Sequence, residues 1–290
     1  MKKFTSCALA LLLGFVGSGV AQVSVEIVME QDQFLVGEAI PAAVRITNRS
    51  GQTLQMGADS NWINFTLEFR GGVVVKNGEV PVQGAFTLES GKVATRRVDL
   101  QPYFALNQVG RYRLNASVQI KDWDSTLSTK PKGFDVIKGT RLWAQEFGML
   151  LPPGVTNRPP EVRRYALEQA NNLHNQLRLY LRITNQDDTQ VIKVLPVGPM
   201  VSISNPEHQI DRVNNLHVLY QLGARTYLYA VFTPEGEFLI RQTHEITTTR
   251  PRLQSDDRGN FSVTGGARRP SIDDLPGETD STVHAPTPTP

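Results

Sequence analysis

The chain has a single cysteine, Cys7. It lies inside an apolar run near the N-terminus, not at the end of one, where a lipoprotein signal would place it. An export signal spanning that run would remove Cys7 and leave a chain without a thiol. That excludes a disulfide framework, a zinc–cysteine centre and a cysteine nucleophile. A charge bias is also missing. There are 30 Lys and Arg against 28 Asp and Glu, and without Lys2 and Lys3 the two counts are equal. No net field remains to draw nucleic acid or an anionic membrane. Beyond the N-terminal run no stretch is apolar for long enough to span a bilayer. Before residue 140 no window sustains helical periodicity. The phosphate-cradling Gly-x-x-x-x-Gly-Lys and Gly-x-Gly-x-x-Gly patterns are absent, as is the Gly-x-Ser-x-Gly serine elbow.

The ends differ from the middle. Lys2 and Lys3 precede an apolar run over 4–16, and Gly19-Val20-Ala21 sets small residues where a signal peptidase reads. Residues 1–21 therefore read as a signal peptide, with Gln22 first in the exported, periplasmic or extracellular chain. From Arg250-Pro251 onward, Gly, Pro, Ser, Thr and Asp dominate and the apolar residues show no period. Such a composition offers too little surface to offset the entropy of ordering it. Residues 250–290 are expected to form a disordered tail.

Short strand signals fill the middle. Residues 23–29 are rich in β-branched side chains, and 43–47, 64–69, 93–100 and 112–120 alternate apolar with polar. Residues 134–137 close the set. Asn48-Arg-Ser-Gly51, Gly71-Gly72, Asn77-Gly78 and Ser90-Gly91 separate the strands as turns. Alternation of this kind predicts sheets with one buried face, stacked in pairs.

Gln108-Val109-Gly110-Arg111-Tyr112-Arg113-Leu114 is the sharpest local feature. A tyrosine at the start of the sixth strand of an immunoglobulin-like domain caps the corner before it, its hydroxyl bonding back to the main chain. The family pattern has an acidic residue four before that tyrosine, a small one two before and a cysteine two after. Gly110 and Tyr112 match; Gln108 and Leu114 depart, and Leu114 is expected to fill the place of the disulfide. With Phe34-Leu-Val-Gly37-Glu38 and Asn48-Arg-Ser-Gly51, residues 22–138 resemble the immunoglobulin-like and macroglobulin-like β-sandwich modules of bacterial secreted proteins. The resemblance implies a sandwich and assigns no chemistry, because these scaffolds host many roles.

Residues 139–163 read as a linker, broken by Gly139, Gly148, Pro152-Pro153-Gly154 and Pro159-Pro160. Trp143 and Phe147 are too apolar for a free one, so part of it is expected to pack against one domain. A second β-rich domain follows over 164–249. Its candidate strands are 164–170, 177–184, 190–195, 200–204, 216–222, 226–233 and 237–245, with Thr233-Pro-Glu-Gly236 as a hairpin turn. A helix over 160–173 is the competing reading, since Glu161 to Ala170 holds good helix formers. Asn171-Asn-Leu-His174 recurs as Asn214-Asn-Leu-His217. Each copy leads into a hairpin-like strand pair, as in a propeller blade, but there is room for only two blades, too few to close a ring. A second sandwich or small sheet domain is the preferred reading.

Three side chains are the best candidates for metal ligation: His208, Asp211 and His217. Imidazole and carboxylate can share a zinc or iron ion, yet His-x2-Asp-x5-His matches no common motif. A structural or solvent-facing role is the default for each. No carboxylate pair can be assigned to a glycosidase-like cleft, so no catalytic residue and no cofactor are expected. Asn48, Asn64, Asn115 and Asn260 head Asn-x-Ser/Thr sequons, read as coincidence beside a bacterial-looking signal. Trp62 reads as core. Trp123, in the polar turn Lys121-Asp-Trp-Asp-Ser125, is the best guess for contact with a protein partner. The expectation is an all-β, non-enzymatic exported protein acting as a binding or structural module. The alternatives are a metal-dependent or hydrolytic enzyme with its site in the second module, and a periplasmic chaperone-like or inhibitor-like domain that pairs by strand addition.

Overall fold

The computed structural model describes residues 23–82, 84–150, 161–172, 176–201 and 204–275. The expected signal peptide with Cys7, His174 and residues 276–290 lie outside them. The fold is all-β, in two modules.

The first module holds β1 (Val23–Val28), β2 (Gln33–Leu35), β3 (Pro41–Asn48), β4 (Leu54–Met56), β5 (Ile63–Phe69), β6 (Gly72–Val73), β7 (Phe86–Leu88), β8 (Val93–Asp99), β9 (Gly110–Ile120), β10 (Ser125–Ser128) and β11 (Lys132–Ile137). One sheet runs β1-β3-β8. The other runs β2-β11-β9-β5-β6, with β10 added on β9, and β4 pairs β7. Strand β2 lies parallel to β11, whereas the other pairs are antiparallel. This is the strand order of an immunoglobulin-like sandwich. Alternation sets it: Tyr112, Leu114, Ala116, Val118 and Ile120 of β9 point inward and meet Val44, Ile46, Phe65 and Leu67. Leu114 is fully buried. Such a side chain contributes about 2 kcal/mol, within the range a disulfide would supply there.

The second module holds β12 (Thr140–Gly148), β13 (Val162–Asn171), β14 (Leu177–Asn185), β15 (Val191–Pro199), β16 (Glu207–Ile210), β17 (Leu216–Gln221), β18 (Thr226–Phe232), β19 (Phe238–Glu245), β20 (Arg252–Ser255), β21 (Phe261–Thr264) and β22 (Ala267–Arg268). Strands β12-β13-β14-β15 form one antiparallel meander. Strands β16-β17-β18-β19 form another, extended by β22. The two sheets share a core of Tyr165, Leu167, Leu179, Leu181, Ile183 and Val197 against Leu216, Val218, Tyr220, Ala230 and Phe232. They make a second two-sheet stack. Where a helix was the competing reading, Val162–Asn171 form a strand, because both faces of β13 are buried: Tyr165 and Leu167 on one side, Ala166, Glu168 and Ala170 on the other.

Three boundaries differ from the sequence expectation. The linker at 139–163 is a strand over Thr140–Gly148, paired along its length with β13. As an edge strand it needs few apolar residues, so it carries a weak signal. The connection between modules shrinks to Lys138-Gly139. The second domain, read as 164–249, spans 140–275. Finally, the tail expected from residue 250 is built through Leu275. Strands β20 and β21 form a hairpin in which Leu253 and Val263 are cross-strand partners. Leu275 bridges back to Arg241.

The sheets are thus covered on both sides. The β12–β15 sheet turns its other face to the first module, where Leu35 and Ile137 pack with Ala170, Tyr180, Val191 and Val194. The β16–β19 sheet turns its outer face to the hairpin, where Leu253 and Val263 cover Leu219, Tyr227, Tyr229 and Val231.

Candidate functional site

The three residues nominated for metal ligation do not converge. In the β16–β17 pairing His217 lies opposite Gln209, and His208 opposite Val218. Successive side chains of a strand alternate in direction, so His208 and His217 fall on opposite faces of one sheet. His208 stacks on Trp143, ring centroids 4.1 Å apart, and its Nδ1 lies 3.1 Å from the Pro206 carbonyl. Among the described residues no group of three His, Cys, Asp or Glu side chains is close enough to hold a metal ion.

Asp211 and His217 do meet, and a third residue completes them. His217 Nε2 lies 3.3 Å from Asp211 Oδ2, and Nδ1 lies 2.7 Å from the Tyr229 hydroxyl. With Asp211 ionised, the imidazole donates from Nε2 and accepts the phenol proton at Nδ1. Burial works against ionisation of Asp211, but bonds from the Asn215 and Val213 backbone, the Asn215 side chain and His217 outweigh it and hold its pKa below the usual range. Burial pushes the Tyr229 phenol up to about 12 and pulls the His217 imidazole down. The chain resembles a nucleophile–base–acid relay in its order only. The Phe261 ring of the hairpin lies tilted against His217, centroids 5.0 Å apart, and Tyr229 is 4% exposed. The triplet pins the Asp211–Asn215 turn to β18 beneath the hairpin.

The tyrosine corner is formed. The Tyr112 hydroxyl donates to the Gln108 carbonyl at 2.8 Å, and its ring stacks between Phe69 and Phe134. Gly110 has φ +145, and a Cβ there would lie 2.8 Å from the Phe69 ring. Glycine is needed for that close approach. Trp62 is core, its indole donating to the Val82 carbonyl at 2.8 Å. Trp123 ends a short 3-10 turn and is half-buried against the first module's core, which limits its free surface.

A concavity lined by both modules lies at their joint. It has a volume of about 340 Å³. Leu35, Val36 and Ile137 supply apolar surface, Asn107 and Val109 of the corner loop form one wall, and Arg141, Glu168, Arg182 and Asp188 form the other, with Lys138 between them. The wall is an ion-pair network. Arg141 reaches Asp188 at 2.6 Å and Glu168 at 4.0 Å, and Arg182 lies 3.5 Å from Asp188. Burial raises the pKa of the Glu168 carboxyl against the fields of Arg182 and Arg141. Asp188, less buried, is held low by the Arg141 hydrogen bond and the Arg182 charge.

The joint beneath this cleft is close. Arg182 donates to the Val36 carbonyl across it at 2.9 Å. Gly37 has φ +86, and a Cβ there would come within 2.9 Å of Val191. Gly139 lies so near Glu168 and Leu35 that a Cβ would meet them at 2.8 and 3.0 Å. Glu38 is 3% exposed and accepts from the Leu35 backbone at 2.7 Å. Phe34-Leu-Val-Gly37-Glu38, read in the sequence as a mark of fold, is therefore also the docking segment.

No protein-family model matches the chain, and no curated protein matches it. Among solved structures, the chain is similar to the sporulation control protein Spo0M from Bacillus subtilis, at 11% sequence identity and a TM-score of 0.30. That similarity covers 62% of this chain and 91% of the Spo0M chain. A likeness at this level bears on neither the fold nor the function.

The cleft residues Arg141, Glu168, Arg182 and Asp188 were not singled out from sequence. Arg141 fell in the apparent linker, and charges on alternating strands look like a solvated face. The one available signal was the even burial of β13 and β14: Ala166, Ala170 and Tyr180 fall between the inward apolar positions, where a wet face would be polar.

Proposed function

We propose that this is a non-enzymatic exported protein that binds a protein partner at the cleft between its two sandwiches. The observation that carries the reading is the cleft itself: both modules line it, and the joint below it is packed and hydrogen-bonded. Binding sites concentrate at such junctions, where apolar surface meets a few fixed polar groups. Lys138, Arg141 and Arg182 outnumber Glu168 and Asp188 there, which favours an acidic group on the partner. Export rests on the signal-like N-terminus. Kinship of the first module with bacterial immunoglobulin-like and macroglobulin-like modules belongs to the same proposal; its support is the strand order and the Tyr112 corner. The buried state of Tyr229 and His217 speaks against the enzyme alternative.

A photo-crosslinking amino acid at Val109 or Lys138, installed in the cell of origin, tests the proposal. A discrete adduct is expected from the cleft positions and not from Glu89, an exposed turn residue outside the cleft. Fractionation should recover the adduct from the periplasm or medium, with Gln22 as the mature N-terminus. Equal adducts from Glu89, or none from either cleft position, contradict the reading.

A further inference from the structure

A second concavity, of about 370 Å³, opens at one corner of the second module's core. Pro199, Tyr220, Leu222, Leu228, Arg241 and Thr243 line it, and the segment 271–275 closes it on one side. The register explains the grouping. Arg241 pairs with Ala230 and Thr243 with Leu228, so both point to the inter-sheet face that carries Tyr220.

Two polar groups at this corner lack partners. Tyr220 is 1% exposed, and its hydroxyl has no hydrogen-bond partner among the described residues. The Arg241 Nε is buried and equally unpartnered. Bare backbone makes room for the phenol: a Cβ at Gly198 would stand 2.5 Å from its oxygen. Leaving a buried hydroxyl unpaired costs about 1–3 kcal/mol, and a buried charged donor costs more. Native folds retain such groups where they serve a purpose. Asp273 and Asp274 also line the concavity, and among the described residues neither forms an ion pair with Arg241. Asp274 is already paired with Arg268 at 3.2 Å, and Asp273 is exposed. What remains is a guanidinium and a hydroxyl donor beside Pro199, Leu222 and Leu228.

We propose that this corner binds a small organic carboxylate, its oxygens taken by Arg241 and Tyr220 and its apolar body resting on Pro199, Leu222 and Leu228. A guanidinium and a phenol donate to one carboxylate in the way that charge-assisted hydrogen bonds favour. The site is separate from the inter-module cleft and stands or falls without it.

Calorimetric titration of the mature protein with butyrate and benzoate, and with butyramide and benzamide as neutral isosteres, tests the site. Saturable binding of an acid at least about tenfold tighter than its amide is expected, from the worth of a hydrogen bond to a charged group. Tyr220→Phe should weaken that binding about tenfold without lowering the unfolding temperature, because the hydroxyl it removes has no partner among the described residues. Arg241→Gln should abolish it. If Arg241→Gln does not fold, Tyr220→Phe and the acid–amide comparison still decide. No saturable binding of either acid up to about 10 mM, equal affinity for acid and amide, or wild-type binding by Tyr220→Phe would each overturn the proposal. The last two results would mark a merely hydrated pocket.

Discussion

At the scale of single residues, Tyr112 does more than close a sandwich. Its bond to the Gln108 carbonyl fixes the loop that puts Asn107 and Val109 on the cleft wall. Tyr112→Phe should lower stability by about 0.5–1.5 kcal/mol, measured by urea denaturation, and loosen that wall. This much was legible in sequence, because a Gly-x-Tyr at a strand start has one mechanical use. His217 was half legible. Its face on β17 followed from alternation, but its burial depends on Phe261, forty-four positions on, in a segment whose composition suggests disorder. Burial makes a testable pH dependence. Unfolded, the imidazole titrates near 6.5; folded, it titrates lower. Between those values the unfolded chain binds the proton and the folded chain does not, so stability falls as pH drops below about 6.5. His244, lowered by burial and by Arg268, acts in the same direction. Glu38 and Glu168, raised by burial, act oppositely, toward the ordinary carboxylate range. Comparing wild type with His217→Gln isolates the histidine: the variant should lose part of the slope between pH 7 and 5. An unchanged slope would mean that His217 is not buried neutral.

At the scale of elements, alternation predicted the long strands of the first module, and composition misjudged the edge strand β12 and the short β20 and β21. Strands β3, β5, β8 and β9 fall where period-two patterning put them and β1 where β-branched residues cluster; β3, β5 and β9 bury one face, and β8 half-buries one. The β20–β21 hairpin hides in polar sequence. It needs only Leu253, Phe261 and Val263 on its inner side and a turn closed by Asp256, whose carboxylate accepts from the Arg258 and Asn260 backbone and the Asn260 side chain. Asp256-Asp-Arg-Gly-Asn260 between apolar pairs was the signal available. A chain ending at Thr249 should expose Leu219, Tyr227, Tyr229 and Val231, lose about 3 kcal/mol and bind a hydrophobic dye. A truncated chain as stable as the full one would make the hairpin an ornament of the surface.

For the whole molecule, the decisive feature was the least visible. Sequence showed two β-rich blocks and a Pro- and Gly-rich stretch between them, in which only Trp143 and Phe147 pointed to packing against one domain. The stretch instead contains an edge strand, and only Lys138-Gly139 join the modules. Interfaces between domains are written in pairs of distant residues, Leu35 with Tyr180 or Gly37 with Val191, and no local pattern reports them. If this joint holds, the cleft above it has a fixed shape and can serve as a site; if it swings, no cleft persists. Backbone NMR relaxation of the mature protein measures this most directly. One shared rotational correlation time is predicted for residues 23–137 and 140–275. Gly37→Ala, strained at φ +86 and pressed on Val191, should split it into two. Two different correlation times in the wild-type protein would contradict the account.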